Sequence, residues 1–219
     1  MAAEQYGLPL FPTPLGVYKL GELHQRQDEY LVRGILNAQN ADNKGVVSSQ
    51  VNGWHSKNLI DSDPCFEELC TLVEEYTVDY ANRFGLDTKI TVPGCWANIN
   101  ERGAFNMPHH HHGNTLAGVY YPCDYVKPDG EGVFKYKSGN PVKAGSWAQR
   151  GGELVLQSPH YNLYHGTLTK PNNPFTITHY HVVPEPGLLL LFPPYLIHSV
   201  VPVMDDNLRL SISFHFGEY

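Results

Sequence analysis

The stretch Leu208-Arg209-Leu210-Ser211-Ile212-Ser213-Phe214-His215-Phe216 alternates without a break between apolar and polar residues. Successive side chains of a β-strand point to opposite faces. Leu208, Leu210, Ile212, Phe214 and Phe216 therefore share one face, and Arg209, Ser211, Ser213 and His215 share the other. The first face needs a core to pack against. The second either meets bulk water or lines a barrel interior. Surface strands usually carry Lys and Glu, so two small hydroxyls between an Arg and a His suit a confined polar pocket.

Upstream of this strand the two-residue period recurs. It predicts strands at 89–92, 95–100, 115–121, 132–136, 153–157, 175–182, 188–192 and 199–203. Pro93-Gly94, Asp129-Gly130, Gly151-Gly152 and Pro186-Gly187 separate them as turn signals. Before residue 85 the period is helical. Phe66, Leu69, Cys70, Val73, Thr77, Tyr80 and Phe84 recur at three- and four-residue steps, with Asp63 as N-cap, Pro64 in the first turn and Gly85 closing the end. A second helix is expected over 21–37, after an extended lead-in at 9–20, and a polar loop over 38–60. Helices first and short strands afterwards predict a mainly β chain with flanking helices, an antiparallel barrel or sandwich. The loop-rich stretch 122–150 reads as a lid, and with 38–60 it is expected to shape access to the barrel.

Composition agrees. Fourteen Tyr, 20 Gly and 17 Pro among 219 residues favour strands and turns over a helical bundle. The net charge is −7 and no Lys/Arg cluster stands out, which argues against nucleic acid as a partner. The longest apolar runs are far too short to span a membrane, and the N-terminal residues lack the pattern of a secretory signal. Cys65, Cys70, Cys95 and Cys123 form no CxxC pair and read as buried thiols, so a cytoplasmic location is expected. A homodimer through the N-terminal helices is the assembly to test for.

His109-His110-His111-His112 precedes the strand at 115–121. On extended chain, residues i and i+2 project to the same side. His109 and His111 can thus face one metal ion, although local spacing equally allows His110 with His112. His198, far along the chain, is the candidate third ligand. Two close ligands and one distant one leave coordination positions open, which suits metal chemistry on a bound substrate. The bland alternative is a loop that binds stray metal. His24, His55, His160, His165, His179 and His181 have no clear partner and read as structural or surface residues, although His179 and His181 share a strand face.

The order of these motifs resembles one branch of the Fe(II)/2-oxoglutarate oxygenase superfamily, a branch of uncharacterised oxygenases from bacteria and phages. The similarity rests on Trp96-Ala97-Asn98-Ile99-Asn100, Gly103, His109-x-His111 and Ala117-Gly118-Val119-Tyr120-Tyr121. It continues in Pro186-Gly187, Leu188 to Pro193, His198 and Arg209-x-Ser211-x-Ser213-Phe214. The lead-in Leu10-Phe11-Pro12-Thr13-Pro14 and Trp54-His55-Ser56 are also similar.

The resemblance implies a double-stranded β-helix, the jelly-roll or cupin-like barrel, forming a single oxygenase domain over 1–219. Residues 1–88 would be helical and loop support and 89–219 the barrel. It further implies Fe(II) on His109, His111 and His198, and 2-oxoglutarate held by Arg209 and Ser211 with further contacts from Asn98 and Tyr120. The expected activity is hydroxylation of a small-molecule or peptidyl substrate by a 2-oxoglutarate-dependent dioxygenase. This chain departs from the superfamily at His111, where a carboxylate is usual. A register with His111 as first ligand and Gly113 in the carboxylate position would resemble halogenating members. Two other readings stay open: a three-His dioxygenase or isomerase that uses no 2-oxoglutarate, and a non-enzymatic ligand-binding barrel.

Overall fold

In chain order the elements are β1 (Gly16–Lys19), α1 (Gln25–Ala41), β2 (Gln50–Val51), β3 (Trp54–His55), α2 (Pro64–Phe84), β4 (Ile90–Asn100) and β5 (Phe105–His109). Then come β6 (Ala117–Tyr121), β7 (Asp124–Val126), β8 (Val133–Lys135), β9 (Leu154–Gln157), β10 (His179–Val182), β11 (Leu188–Phe192), β12 (His198–Val200) and β13 (Arg209–Glu218). The computed structural model describes residues 11–20, 25–86, 89–122, 124–126, 133–135, 151–160, 177–204, 206 and 208–218.

Two antiparallel sheets form the body. One has the order β1-β11-β6-β13-β4-β3 and the other β10-β9-β12-β5-β2, with β7 and β8 as a separate hairpin. Val119, Tyr121 and Leu190 of the first sheet pack with Leu154, Leu156 and Val200 of the second, so the sheets face one another as a squashed barrel. The outer face of the larger sheet carries the helices. Leu31, Val32 and Ile35 of α1 and Phe66, Leu69, Val73 and Tyr80 of α2 share a core with Ala97, Ile99, Leu210, Ile212 and Phe214. The mainly β body with flanking helices is what the periodicity predicts, and the double-stranded β-helix is what the resemblance implies.

Helix α2 begins and ends where its caps dictate. The Asp63 carboxylate accepts the Cys65 N–H at 3.0 Å, Pro64 opens the first turn, and Gly85 closes the end at φ 67°. Phe84, expected on the buried face, is exposed, its ring tilted against that of Tyr80 at 4.8 Å. Helix α1 is found at Gln25–Ala41, later than the expected 21–37, of which 21–24 lie outside the described residues.

The Pro93-Gly94 break does not interrupt the sheet. β4 runs through it, because the pairing with β13 shifts register between His215 and Gly217. A bulge leaves room for a residue that cannot donate to the ladder. The expected loop at 38–60 supplies the edge strands β2 and β3, one to each sheet. The expected lid at 122–150 falls mainly outside the described residues, as does Cys123, while Cys65, Cys70 and Cys95 are buried free thiols. Among the described residues no helix is long and apolar enough to cross a membrane.

Helix α1 also carries a buried acid. Asp28 is 2 % exposed and accepts a 2.5 Å hydrogen bond from the Tyr120 hydroxyl. Burial pushes its carboxyl up to about 7, against a smaller opposing effect of the Tyr120 bond. Between the ordinary carboxylate range and about pH 7 the folded chain therefore holds a proton that the unfolded chain has released. Stability is expected to fall as pH rises through that window. Asp28→Asn should flatten this dependence and stabilise the chain at pH above about 7. Urea unfolding of both proteins at mildly acidic and mildly basic pH measures the difference, and parallel pH profiles would contradict it.

Candidate metal centre and adjoining cleft

β5 and β12 are hydrogen-bonded neighbours, and their register sets His198 directly opposite His109. Cross-strand partners on one face lie close enough for their side chains to touch. The two imidazole rings are 4.3 Å apart between centroids. His111 lies just past the end of β5, held by its N–H donating to the Pro194 carbonyl at 3.0 Å. Its ring is 5.4 Å from His109 and 5.0 Å from His198. One ligand atom from each of the three imidazoles lies within 4.8 Å of the others.

The rings are aimed from behind. Nδ1 of His109 is 2.7 Å from the Met107 carbonyl and Nδ1 of His198 is 2.9 Å from the Leu196 carbonyl. A carbonyl only accepts, so both Nδ1 atoms carry the proton and both Nε2 lone pairs are free for a metal. Burial holds all three imidazoles below the usual histidine range, His111 down to about 4 and His198 down to about 3. They stand neutral at physiological pH, as ligation requires. Their nitrogens suit a first-row divalent ion, iron included.

His110 and His112 project the other way, are exposed, and bond to each other. The i, i+2 pairing that converges with His198 is therefore His109 with His111. The register that starts at His111 would leave His109 unused, whereas His109 joins His111 and His198 in one cluster.

These rings border a cleft of about 630 Å³ between the two sheets. The polar row of β13 lines it: Arg209, Ser211, Ser213 and His215. Arg209 is 9 % exposed. Its Nε donates to the Gly152 carbonyl at 2.7 Å, Nη1 to Ser211 Oγ at 3.1 Å and Nη2 to the Tyr121 hydroxyl at 3.2 Å. Gly152 turns that carbonyl inward at φ 77°, a conformation that favours glycine. Among the described residues every hydrogen-bond partner of the guanidinium is neutral, and the buried Glu153 carboxylate acts on it through space. A buried cation held only by neutral acceptors is a strong site for an anion.

Asn98 faces the cleft opposite Ser211. Tyr120, expected there too, does not. It points to the helix side, onto Asp28. Its neighbour Tyr121 faces the cleft and Arg209, because the pleat sends adjacent residues to opposite faces. Pairing Ile212 with Tyr120 and Ser213 with Val119 settles that parity, and only the sheet register reveals it. His55, read from sequence as structural or surface, also borders the cleft and lies against Trp96. The signal for it in the sequence was the resemblance over Trp54-His55-Ser56; two residues carry no period of their own. His179 and His181 sit on the edge strand β10 and do not border the cleft, and His24 and His165 lie outside the described residues.

A family model described as "Putative 2OG-Fe(II) oxygenase" matches residues 94–215, a span holding all of the histidine cluster and Arg209. No curated protein matches. Among solved structures, a prolyl-4-hydroxylase of Pseudomonas putida is similar at TM-score 0.54 and 14% identity, covering 92% of this chain and 91% of that one. A prolyl hydroxylase of Trichoplax adhaerens in complex with a hypoxia inducible factor peptide fragment is similar at TM-score 0.57 and 15% identity, covering 92% and 82%. HygX of Streptomyces hygroscopicus, with nickel, 2-oxoglutarate and hygromycin B bound, is similar at TM-score 0.52 and 11% identity, covering 94% and 83%. At these identities the likeness is one of fold.

The geometry predicts a sharp contrast within the histidine run. His109→Ala, His111→Ala and His198→Ala should each weaken divalent-metal binding by more than about 100-fold, beyond the loss typical of an outer partner. His110→Ala and His112→Ala should change it little. Metal-induced shifts in melting temperature, measured anaerobically on untagged protein, test this. Equal losses in all five variants would mean the run binds metal as a mere tag.

Proposed function

From the premise that this chain belongs to the 2OG-Fe(II) oxygenase family, we propose that it hydroxylates a small-molecule or peptidyl substrate, with iron on His109, His111 and His198 and 2-oxoglutarate anchored by Arg209. The observation that carries the reading is the buried Arg209 guanidinium, in the same cleft as the three imidazoles. A three-His dioxygenase or isomerase without 2-oxoglutarate would have no use for a buried cation there. A simple ligand-binding barrel would have no use for the two imidazoles whose tautomer is set by carbonyls.

The family uses Fe(II) and 2-oxoglutarate, and bound together with oxygen they supply oxidation of a C–H bond, one oxygen atom going to the substrate and one to succinate as carbon dioxide leaves. The chain's own residues bind and orient. Arg209 offers its planar fork to the distal carboxylate of 2-oxoglutarate, in two parallel hydrogen bonds. Ser211 and Tyr121 hold the fork in place, and burial keeps the Tyr121 phenol protonated, so its hydroxyl can donate to the same anion. Asn98, facing Ser211, adds an amide to that wall. Leu154, Phe192 and Val200 border the metal side with apolar surface and exclude water. Both substrate classes are met on this fold: the Trichoplax adhaerens enzyme holds a peptide fragment and HygX holds hygromycin B.

Arg209→Ala should weaken 2-oxoglutarate binding by about 100-fold, the worth of a bidentate charge-assisted contact. It should leave iron binding intact. Calorimetry under nitrogen and succinate release in air measure the two. Undiminished 2-oxoglutarate affinity in the variant, or none in the wild type, would sink the reading.

A further inference from the structure

Along β13 the cleft changes character. Arg209 and Ser211 are buried, Ser213 is half-buried and His215 is exposed. Extended chain from Arg209 to His215 spans about 20 Å, so the polar row leads from the sealed end of the cleft to its mouth. At the mouth the wall is the indole of Trp96. The His215 ring tilts against it at 4.6 Å, and the His55 ring lies nearly parallel at 5.8 Å. The His111 ring is 5.9 Å away, so anything resting on Trp96 rests beside the metal centre.

Behind this wall, on the same face of β4, sits Asn98. It is 7 % exposed, borders the cleft, and its Oδ1 has no hydrogen-bond partner among the described residues. Its neighbours across the sheet are His55 and Ser211. A buried polar atom left unpaired is costly, and such atoms in native proteins commonly await a ligand. Among the described residues two permanent cations border the cleft, and neither is left for the substrate: Arg209 belongs to 2-oxoglutarate in the reading above, and Lys57 pairs with Asp42 at 2.8 Å. Burial also lowers His55 and His215 below the usual histidine range.

We propose that the outer half of the cleft is the substrate subsite and that it takes an uncharged, hydroxyl-bearing saturated ring, the chemistry of a sugar, with a C–H face on Trp96 and a hydroxyl on Asn98. The proposal rests on the oxygenase reading above and names its substrate by class. A flat aliphatic face gains dispersion and weak C–H contacts over an indole. A hydroxyl can donate to the open Asn98 Oδ1, which leaves the Asn98 amide N–H for the cosubstrate wall described above. Neutral imidazole and hydroxyl groups around the wall match further hydroxyls. A peptide would more readily add as a strand along a free edge, but β2 and β3, the edge strands beside the mouth, are two residues long each.

The test titrates methyl glycosides and neutral disaccharides into the whole chain loaded with Mn(II) and 2-oxoglutarate, by calorimetry. A set of proline-containing peptides is titrated in parallel. At least one glycoside should bind saturably. Trp96→Ala and Asn98→Ala should weaken it by about tenfold or more, the loss typical of a central contact. Trp96→Phe, which keeps an aromatic face, should retain most of the affinity. The 2-oxoglutarate affinity of each protein is measured separately. Failure of the wild type to bind 2-oxoglutarate strikes the oxygenase reading itself. Intact 2-oxoglutarate binding with no glycoside bound, with glycoside affinity unmoved by Trp96→Ala, or with peptides bound in place of sugars overturns the sugar subsite alone.

Discussion

A β-strand has two faces, and β13 uses both fully. Its even-numbered side chains from Leu208 to Phe216 are buried, and from Leu210 onward they pack with helix residues. Its odd-numbered ones from Arg209 to His215 line the cleft. The strand is hydrogen-bonded on both sides, to β4 and to β6. Its register therefore decides which residues of those neighbours face the cleft: Asn98 opposite Ser211 and Trp96 opposite Ser213. A one-residue slip would put the guanidinium under the helices and leucines into the cleft, so the apolar core and the anion site enforce the same alignment.

Around that alignment the molecule buries groups that would be costly alone. Arg209 is sealed in with a carbonyl and two hydroxyls as hydrogen-bond partners. Three histidines, His198 buried and His109 and His111 half-buried, are kept neutral. Each is poorly solvated in a way that a dianion and a divalent cation would relieve. A carboxylate is usual at the position of His111. With imidazole there, the proposed centre has three neutral donors, and no ligand side chain offsets the charge of the ion. The attraction between the centre and an anionic cosubstrate is correspondingly stronger, and the guanidinium at the far end adds to it.

Adjacent residues divide the labour on β6 as well. Tyr121 helps hold Arg209, while Tyr120 reaches through the other face of the same sheet to Asp28 of α1. The helix layer is thus tied to the strand that supports the anion site by one buried hydrogen bond, in addition to apolar packing.

Much of this was legible in the chain alone. The period of two in 208–216, the caps at Asp63 and Gly85 and the apolar run 188–192 are local properties, and local chemistry enforced them in the fold. The candidate ligands His109, His111 and His198 and the cleft row Arg209 and Ser211 were also readable, from spacing and resemblance. What local pattern left undecided was always a matter of parity or distance. Two tyrosines stand side by side, and only the pairing of β6 with β13 turns Tyr121 toward the cleft and Tyr120 away. Four histidines stand in a row, and only the pairing of β5 with β12 selects two of them. Pro93-Gly94 looks like a break until a bulge accommodates it, and His55 looks idle until β3 joins β4 and lays it beside Trp96. Composition and periodicity act between near neighbours in the chain, whereas the cleft is assembled by hydrogen-bonded registers between strands far apart in sequence, and those registers exist only once the sheets have closed.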